Sequence, residues 1–284
     1  MRILNPLLIA LLDLWVGLGY RLTSQKYTLE KAASTSIVVC MTSHPGRIKH
    51  AWLSLESLFR QTDRDFRLVL VLADSQFPRR KLPNSIRRLT RKGLEILWVQ
   101  RDGRSFDHLW PAYRKFPEAA VISVDDDKFF SASLVEKLRT ASVKYPSTII
   151  GWRGWQMRLS DGSLAFGHGW ERATEQTPSN QLFMPPGNGS FYPPGSLPAG
   201  TGDYLVREQI CPDADDVWYW AMARLGGRKS VCLGEANHRA VWQQKGTVSL
   251  ASAQPGPAQF EQVLRYFDLE EPLLRELPED TRQP

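Results

Sequence analysis

Four short apolar runs recur along the first half of the chain, each followed by a polar loop and a stretch of helical periodicity. They are Ser36–Met41 (SIVVCM), Phe66–Leu72 (FRLVLVL), Leu94–Val99 (LEILWV) and Val121–Val124 (VISV). Runs of this length, rich in Val, Ile and Leu, read as buried strands. Between the first two, Ile48, Trp52, Leu55 and Phe59 recur at helical spacing and give an amphipathic helix. Asn84 and Gly93 bracket a short helix as cap and stop. Pro111 sits early in a helix with Leu109, Tyr113 and Phe116, where proline is tolerated. Ser133 and Glu136 form a capping box ahead of Leu134, Leu138, Ala141 and Tyr145, and Ser147–Gly151 returns as a further strand. Such alternation means an α/β fold with a mostly parallel sheet and helices on both faces. The organisation expected is one large domain over 35–250, an apolar N-terminal helix and linker over 1–34, and a C-terminal helix and tail over 251–284.

The fourth run feeds directly into Asp125, Asp126 and Asp127. Ligands of open α/β sheets bind beyond the carboxyl ends of the strands. Adjacent carboxylates raise one another's pKa unless an opposite charge offsets them. A divalent cation, Mg²⁺ or Mn²⁺, is a natural offset, since both prefer oxygen ligands and Mg²⁺ is commonly shared between one or two carboxylates and substrate phosphates. The alternative is a polar turn in which one Asp caps the next helix.

Other polar groups gather at the same end of the sheet. The loop Thr42-Ser43-His44-Pro45-Gly46-Arg47 follows the first strand, and loop amides at a helix start attract phosphate or base oxygens. It is neither GxGxxG nor a P-loop, which sets aside the common dinucleotide and NTPase fingerprints. Asp74, at the end of the second strand, either holds a ribose or base or opens the next turn. Arg101, Arg104, His108 and Arg114 follow the third strand within reach of phosphates; His108 equally reads as a packed helix residue.

The second half changes character. Trp152, Trp155, Phe166, His168 and Trp170 crowd a glycine-rich stretch and serve either as core or as faces for sugar rings. Residues 185–202, PPGNGSFYPPGSLPAGTG, exclude a long regular element, and a loop of this length in a compact domain is usually functional. Asp213, Asp215 and Asp216 crowd the start of a helix running to Leu225. One Asp suffices to cap it, which leaves another to act as a general base. His238, after a strand over Lys229–Leu233, is either structural or a further ligand to the cation. Phe260, Leu264 and Phe267 indicate a closing helix.

The formal net charge of +6 fits an anionic partner such as a nucleotide or a phospholipid surface. No helix-turn-helix, zinc-finger or aromatic-basic RNA-binding signature occurs, so nucleic acid is not the expected partner. Three cysteines without a C-x-x-C argue against a disulfide framework or a cysteine zinc site and fit a reducing, cytoplasmic compartment. Asn5, Pro6 and Asp13 interrupt the apolar N-terminus, which favours a helix lying on its own domain or on a membrane interface over a spanning one. Residues 79–92 carry seven Arg and Lys, a solvated face or one that rests on anionic head groups. Peripheral contact with the inner face of the membrane through 3–20 and 79–92 is the corresponding expectation.

Four motifs in this order resemble those of nucleotide-sugar glycosyltransferases of the GT-A fold, a Rossmann-like class, particularly those of bacterial surface-polysaccharide synthesis, and more loosely the exostosin-type enzymes. Thr42–Arg47 is similar to the first nucleotide-contacting loop. Val124-Asp125-Asp126-Asp127 resembles the DXD motif. Gly187-Asn188-Gly189-Ser190-Phe191-Tyr192-Pro193-Pro194 resembles the glycine-rich acceptor loop, and Ala214-Asp215-Asp216-Val217-Trp218 the acidic pair opening the helix that bears the base. The resemblance spans about residues 36–245. It implies a metal-dependent transferase moving sugar from a nucleotide donor, UDP first, to a glycan or lipid-linked acceptor. Asp127 is then the principal Mn²⁺ or Mg²⁺ ligand, with Asp125 and His238 joining it; Asp125 and Asp126 face the ribose and the metal's water shell. Thr42, Ser43, Arg47, Asp74, Trp155, Gly187 and Gly189 line the substrates. Asp216, or else Asp215, is the base. One departure stands out: related chains often carry Lys before the Leu-x-Pro helix, where this chain has His108, so Arg104 or Arg114 is left to meet the diphosphate. The competing classes are a metal-dependent phosphohydrolase and a non-catalytic carbohydrate-binding module on a transferase scaffold.

Overall fold

The structure is a computed structural model that describes residues 6–29, 36–159, 164–167, 169–174, 177–234, 238–240 and 256–275. These fall into two compact units, the first drawn from 1–139 and 237–248, the second from 140–236 and 249–284.

The first unit is built on four parallel strands: β1 (Ile37–Thr42), β2 (Arg67–Ala73), β3 (Leu94–Val99) and β4 (Ala120–Val124), ordered β4-β1-β2-β3. Val38 lies opposite both Arg67 and Val121, and Leu70 opposite Ile96. Every residue of β4 is buried, as are the first five of β1 and the last six of β2, which is why they read as continuous apolar runs. A short strand β5 (Lys128–Phe130) leaves the acidic turn and pairs antiparallel with His238–Ala240.

Helix α1 (Pro6–Thr23) lies against helix α2 (Ile48–Phe59). Gly17 allows the approach: a Cβ there would already touch Leu53 at 3.4 Å. The Tyr20 ring meets Phe129 at 6.0 Å, and the Arg60 guanidinium lies 4.1 Å from the Tyr20 ring centre. Helix α2 is buried nearly all round, its polar Ser54, Glu56 and Ser57 included. Glu56 is fully buried and is met by Arg60, Arg88 and Lys92, while Ser24 donates to it. Periodicity identified the apolar face of α2 but not this polar one, which is covered because its groups are paired.

Helix α3 (Asn84–Thr90) starts one residue earlier than expected, with Pro83 at the N-cap position, and Asn84 instead accepts a hydrogen bond from Arg87. Gly93 follows at φ +109°, a conformation suited to glycine. Helix α4 (Trp110–Lys115) is preceded by a 3₁₀ turn, Arg104–His108, so His108 lies before the helix rather than in it. Helix α5 (Leu134–Lys144) carries the chain to the second unit.

There, β6 (Ile149–Gly151) pairs with two later strands, antiparallel to Asn188–Tyr192 and parallel to Ser230–Cys232. A smaller antiparallel sheet joins β7 (Trp155–Gln156) to β8 (Glu171–Arg172) and β9 (Leu182–Phe183). The glycine- and proline-rich segment 185–202 holds no long regular element, only the short strand β10 (Asn188–Tyr192), every residue of it buried. Gly189 supplies φ +86° inside it. Helices α6 (Tyr204–Ile210), α7 (Asp215–Leu225), α8 (Gly256–Phe267) and α9 (Glu270–Arg275) complete the unit with β11 (Ser230–Cys232). Phe166, Trp170, Phe183, Trp220 and Phe260 pack on one another at ring separations of 5.2–6.2 Å. Trp152 is buried, so most of these aromatics are core rather than sugar platforms. His168 lies outside the described residues.

Candidate active site

In the first unit the β1 and β4 carboxyl ends bring the loop 42–47 against the aspartate triplet. Asp126 is the buried member: Ser43 Oγ donates to its Oδ2 at 2.5 Å, and Arg47 pairs with its Oδ1 at 3.0 Å. The other arm of the same guanidinium reaches Asp127 Oδ2 at 3.2 Å. Lys128 pairs with Asp125. The repulsion among three neighbouring carboxylates is thus offset from within the chain, by Arg47 and Lys128. Burial pushes Asp126 up to about 6, against Arg47 and Ser43, which pull it down; Asp127 and Asp125 add to the rise. Asp125 goes the other way: desolvation raises it, but Lys128, His108 and Arg47 outweigh that and hold it below the ordinary carboxylate range.

Helix α2 holds the backbone of this turn. Ser54 Oγ donates to the Asp126 carbonyl at 2.7 Å and accepts from the Lys128 amide at 3.1 Å; Ser57 Oγ accepts from the Phe130 amide at 3.1 Å. Two serines one helical turn apart therefore fix the strand that carries the triplet. Sequence reasoning missed them, and it missed Lys128. The available signals were the Ser54/Ser57 spacing on a helix following a nucleotide-type loop, and a Lys three residues after Asp125.

The remaining expected positions of this unit are placed as follows. Thr42 Oγ1 donates to the Val71 carbonyl at 3.0 Å. Asp74 opens a 3₁₀ turn and grips Arg80 with both oxygens, at 2.7 and 2.9 Å, and the hydrogen bonds from Arg80 hold its carboxyl below the usual range. Asp74 thus opens the turn, as one of the two readings had it. Arg104, at φ +56°, and Arg114 are exposed. His108 is buried, and its charge bears on Asp125.

A divalent cation fits the triplet in one respect that can be read directly. Asp127 Oδ1 is buried and has no hydrogen-bond partner among the described residues. An orphaned carboxylate oxygen in such a place is costly unless something positive meets it. Among the described residues no three His, Cys, Asp or Glu side chains are grouped to hold a metal, so the chain offers one or two carboxylates, the number Mg²⁺ usually takes alongside phosphate oxygens. The backbone of His238 pairs with Phe130, next to the triplet's own strand; its side chain lies outside the described residues.

The second unit holds the other expected set. Asp215 and Asp216 form the first turn of α7, half-buried, where negative charge complements the helix dipole. Neither is the cap: Ala214 occupies that position, and Gln259 Oε1 accepts from the Asp213 and Ala214 amides at 3.1 and 3.0 Å. Tyr192 of β10 lies close enough to feel both acids. Burial first, then Asp216 and Asp215, drive its phenol far above the usual range, so it stays protonated. Gly187 and Gly189 are buried in the same segment, and Ser190 Oγ donates to the Pro185 carbonyl at 3.0 Å. Trp155 is half-buried, with the Arg153 guanidinium 4.6 Å from its ring centre.

No family model matches this sequence, and no curated protein matches it. Solved structures do. Residues 1–349 of TarS from S. aureus, in complex with UDP-GlcNAc, match with a TM-score of 0.51 at 15% identity, over 87% of this chain and 69% of that one. The same segment of S. aureus TarS in complex with UDP matches at a TM-score of 0.47 and 13% identity, over 87% of this chain and 76% of that one. At such identities it is the fold that is shared, and the fold is GT-A, as the ordered motifs implied.

Proposed function

We propose that the chain is a glycosyltransferase that moves a sugar from a nucleotide donor, UDP-linked in the first instance, to a glycan or lipid-linked acceptor. The observation that carries this reading is the triplet at the carboxyl end of β4, with a buried Asp127 oxygen that no described residue hydrogen-bonds, in a fold shared with a protein solved with UDP-GlcNAc.

Asp127, with Asp125, would hold Mn²⁺ or Mg²⁺. When bound, such an ion neutralises charge on a departing nucleoside diphosphate as a Lewis acid. Arg47 and Ser43 fix Asp126 and so fix the turn from which Asp127 projects; Arg104 and Arg114 add positive charge on the elements before β4. Asp216 takes the proton of the acceptor hydroxyl. In an inverting transfer the freed oxygen bonds to the anomeric carbon as the bond from that carbon to the diphosphate oxygen breaks. The leaving diphosphate carries away the electron pair, and Asp216 ends protonated. Tyr192, kept protonated by burial and by the charges of Asp216 and Asp215, places no competing negative charge near that base. The proposed location is the cytoplasmic side of a membrane that bears the acceptor.

The test is turnover. Purified chain with Mn²⁺ is offered a panel of nucleotide sugars, and free nucleoside diphosphate is measured with and without candidate acceptors. Release that requires a nucleotide sugar, and that falls by about 10²-fold or more in Asp216→Asn while donor binding survives, is the expected result. Turnover of simple phosphate esters with no sugar dependence would replace this reading with a phosphohydrolase.

A further inference from the structure

Helix α1 carries large apolar side chains on its outer face. Leu11, Leu14, Trp15, Leu18 and Leu22 are between 56% and 75% exposed. On a helix turning about 100° per residue they fall within a stripe about 100° wide. The opposite face is already in use, with Gly17 against Leu53 and Trp52, and Tyr20 against Phe129. The stripe is therefore surplus to what holds α1 on its unit. Single exposed leucines need no explanation, but a contiguous row of five marks a contact surface.

Basic groups border it. Arg21 of α1 and Arg88 of α3 lie over the same Trp52 ring, at 5.2 and 5.9 Å. The end of α1 is tied to the end of α3: Lys92 Nζ donates to Ser24 Oγ, and the Leu29 amide to the Lys92 carbonyl, each at 2.8 Å. With Ile86 and Leu89 buried, α3 turns Arg87 outward, and Lys26 and Arg91 are exposed as well. Glu56, which meets Arg60, Arg88 and Lys92, is fully buried.

We propose that this apolar stripe and its basic border form a peripheral anchor for an anionic lipid bilayer, with α1 lying in the interface plane. An amphipathic helix binds such a surface through buried apolar area plus attraction of Lys and Arg to anionic head groups. Charge selects the occupant: a second copy docked stripe to stripe would bring the same cations against one another. No described helix is long and apolar enough to cross the membrane, which fits contact from one side. The inference stands apart from the transferase reading, because vesicle binding needs neither donor nor acceptor.

The experiment is co-sedimentation of the full chain with vesicles of phosphatidylcholine alone or with added phosphatidylglycerol. Binding is expected to the anionic vesicles and to weaken with salt. Arg87→Glu with Arg91→Glu should lower it by about 25-fold or more, at roughly five-fold per basic residue lost. Leu14→Ser with Trp15→Ser and Leu18→Ser should abolish it; all these side chains are exposed, so melting temperature should stay unchanged, and the arginine pair decides the matter if the serine variant does not fold. No binding to anionic vesicles, equal binding to both compositions, or a dimer in solution that the serine variant dissolves would overturn the proposal.

Discussion

Replacing Arg47 should cost stability in a way that depends on pH, and the size of the effect can be worked from the site. Arg47 is 19% exposed and bridges Asp126, which is 5% exposed, and Asp127. With Arg47 in place Asp126 titrates at about 6. In Arg47→Met the largest opposing influence is gone, and its pKa rises further. The carboxyl then escapes the penalty of being charged by holding its proton, so the loss passing through Asp126 is capped at about 1.4 kcal/mol per pH unit above the wild-type value. That gives about 1.4 kcal/mol at pH 7 and close to zero at pH 5. The sign follows from linkage. A carboxyl whose folded pKa is raised above 3.8 contributes stability that is complete below that value and is lost as pH rises through the folded pKa. The variant extends that loss to higher pH. Loss of the Asp127 pair adds a cost of its own. Urea unfolding at several pH values between 5 and 8 reads the difference. In an Asp126→Asn background the pH-dependent part should vanish. A cost of Arg47→Met that is the same at pH 5 and 7, or that persists unchanged in the Asn background, would refute the reasoning.

Glu56→Ala should destabilise the chain by about 3 kcal/mol or more, because it strands Lys92, itself 6% exposed, without its carboxylate; thermal unfolding checks this, and a loss below about 1 kcal/mol would mean the cluster relaxes into solvent. Gly93→Ala should cost more than about 1 kcal/mol, since φ is +109° and a Cβ would run into the Leu29 carbonyl oxygen; a melting temperature equal to wild type would contradict that packing. Ser54→Ala with Ser57→Ala should lower donor turnover more than it lowers stability, because both hydroxyls hold the Asp126–Phe130 backbone; parallel losses of both would assign them a purely structural part.

The sheet of the first unit was legible because buried parallel strands write themselves as unbroken apolar runs; Cys40 and Val69, each in one of those runs, pair in the structure. The position of the triplet was legible for the same reason: a strand's carboxyl end is fixed once the strand is. What offsets its charge was not legible. Arg47 lies 79 residues from Asp126 in sequence, and only the fold brings them to 3.0 Å. Asp74 shows the same limit, a carboxylate at the end of a strand whose partner, Arg80, no strand pattern foretells. In the second unit, glycine and proline composition concealed β10, because burial and pairing with β6 outweigh the low strand propensity of Gly. The crowded aromatics read as either core or sugar faces, and sequence alone could not say which, because the ring that gathers Trp170 and Trp220 is Phe260, whose helix lies far along the chain.

The central claim is that Asp127 meets a cation that in turn meets a nucleotide sugar's diphosphate. Calorimetric titration of the full chain with UDP-GlcNAc and other nucleotide sugars, with and without Mn²⁺, tests it most directly. The account predicts that at least one nucleotide sugar binds, that Mn²⁺ strengthens the binding, and that Asp127→Ala removes the metal's contribution. Binding of no nucleotide sugar under either condition, or binding by Asp127→Ala that responds to Mn²⁺ as wild type does, would contradict it.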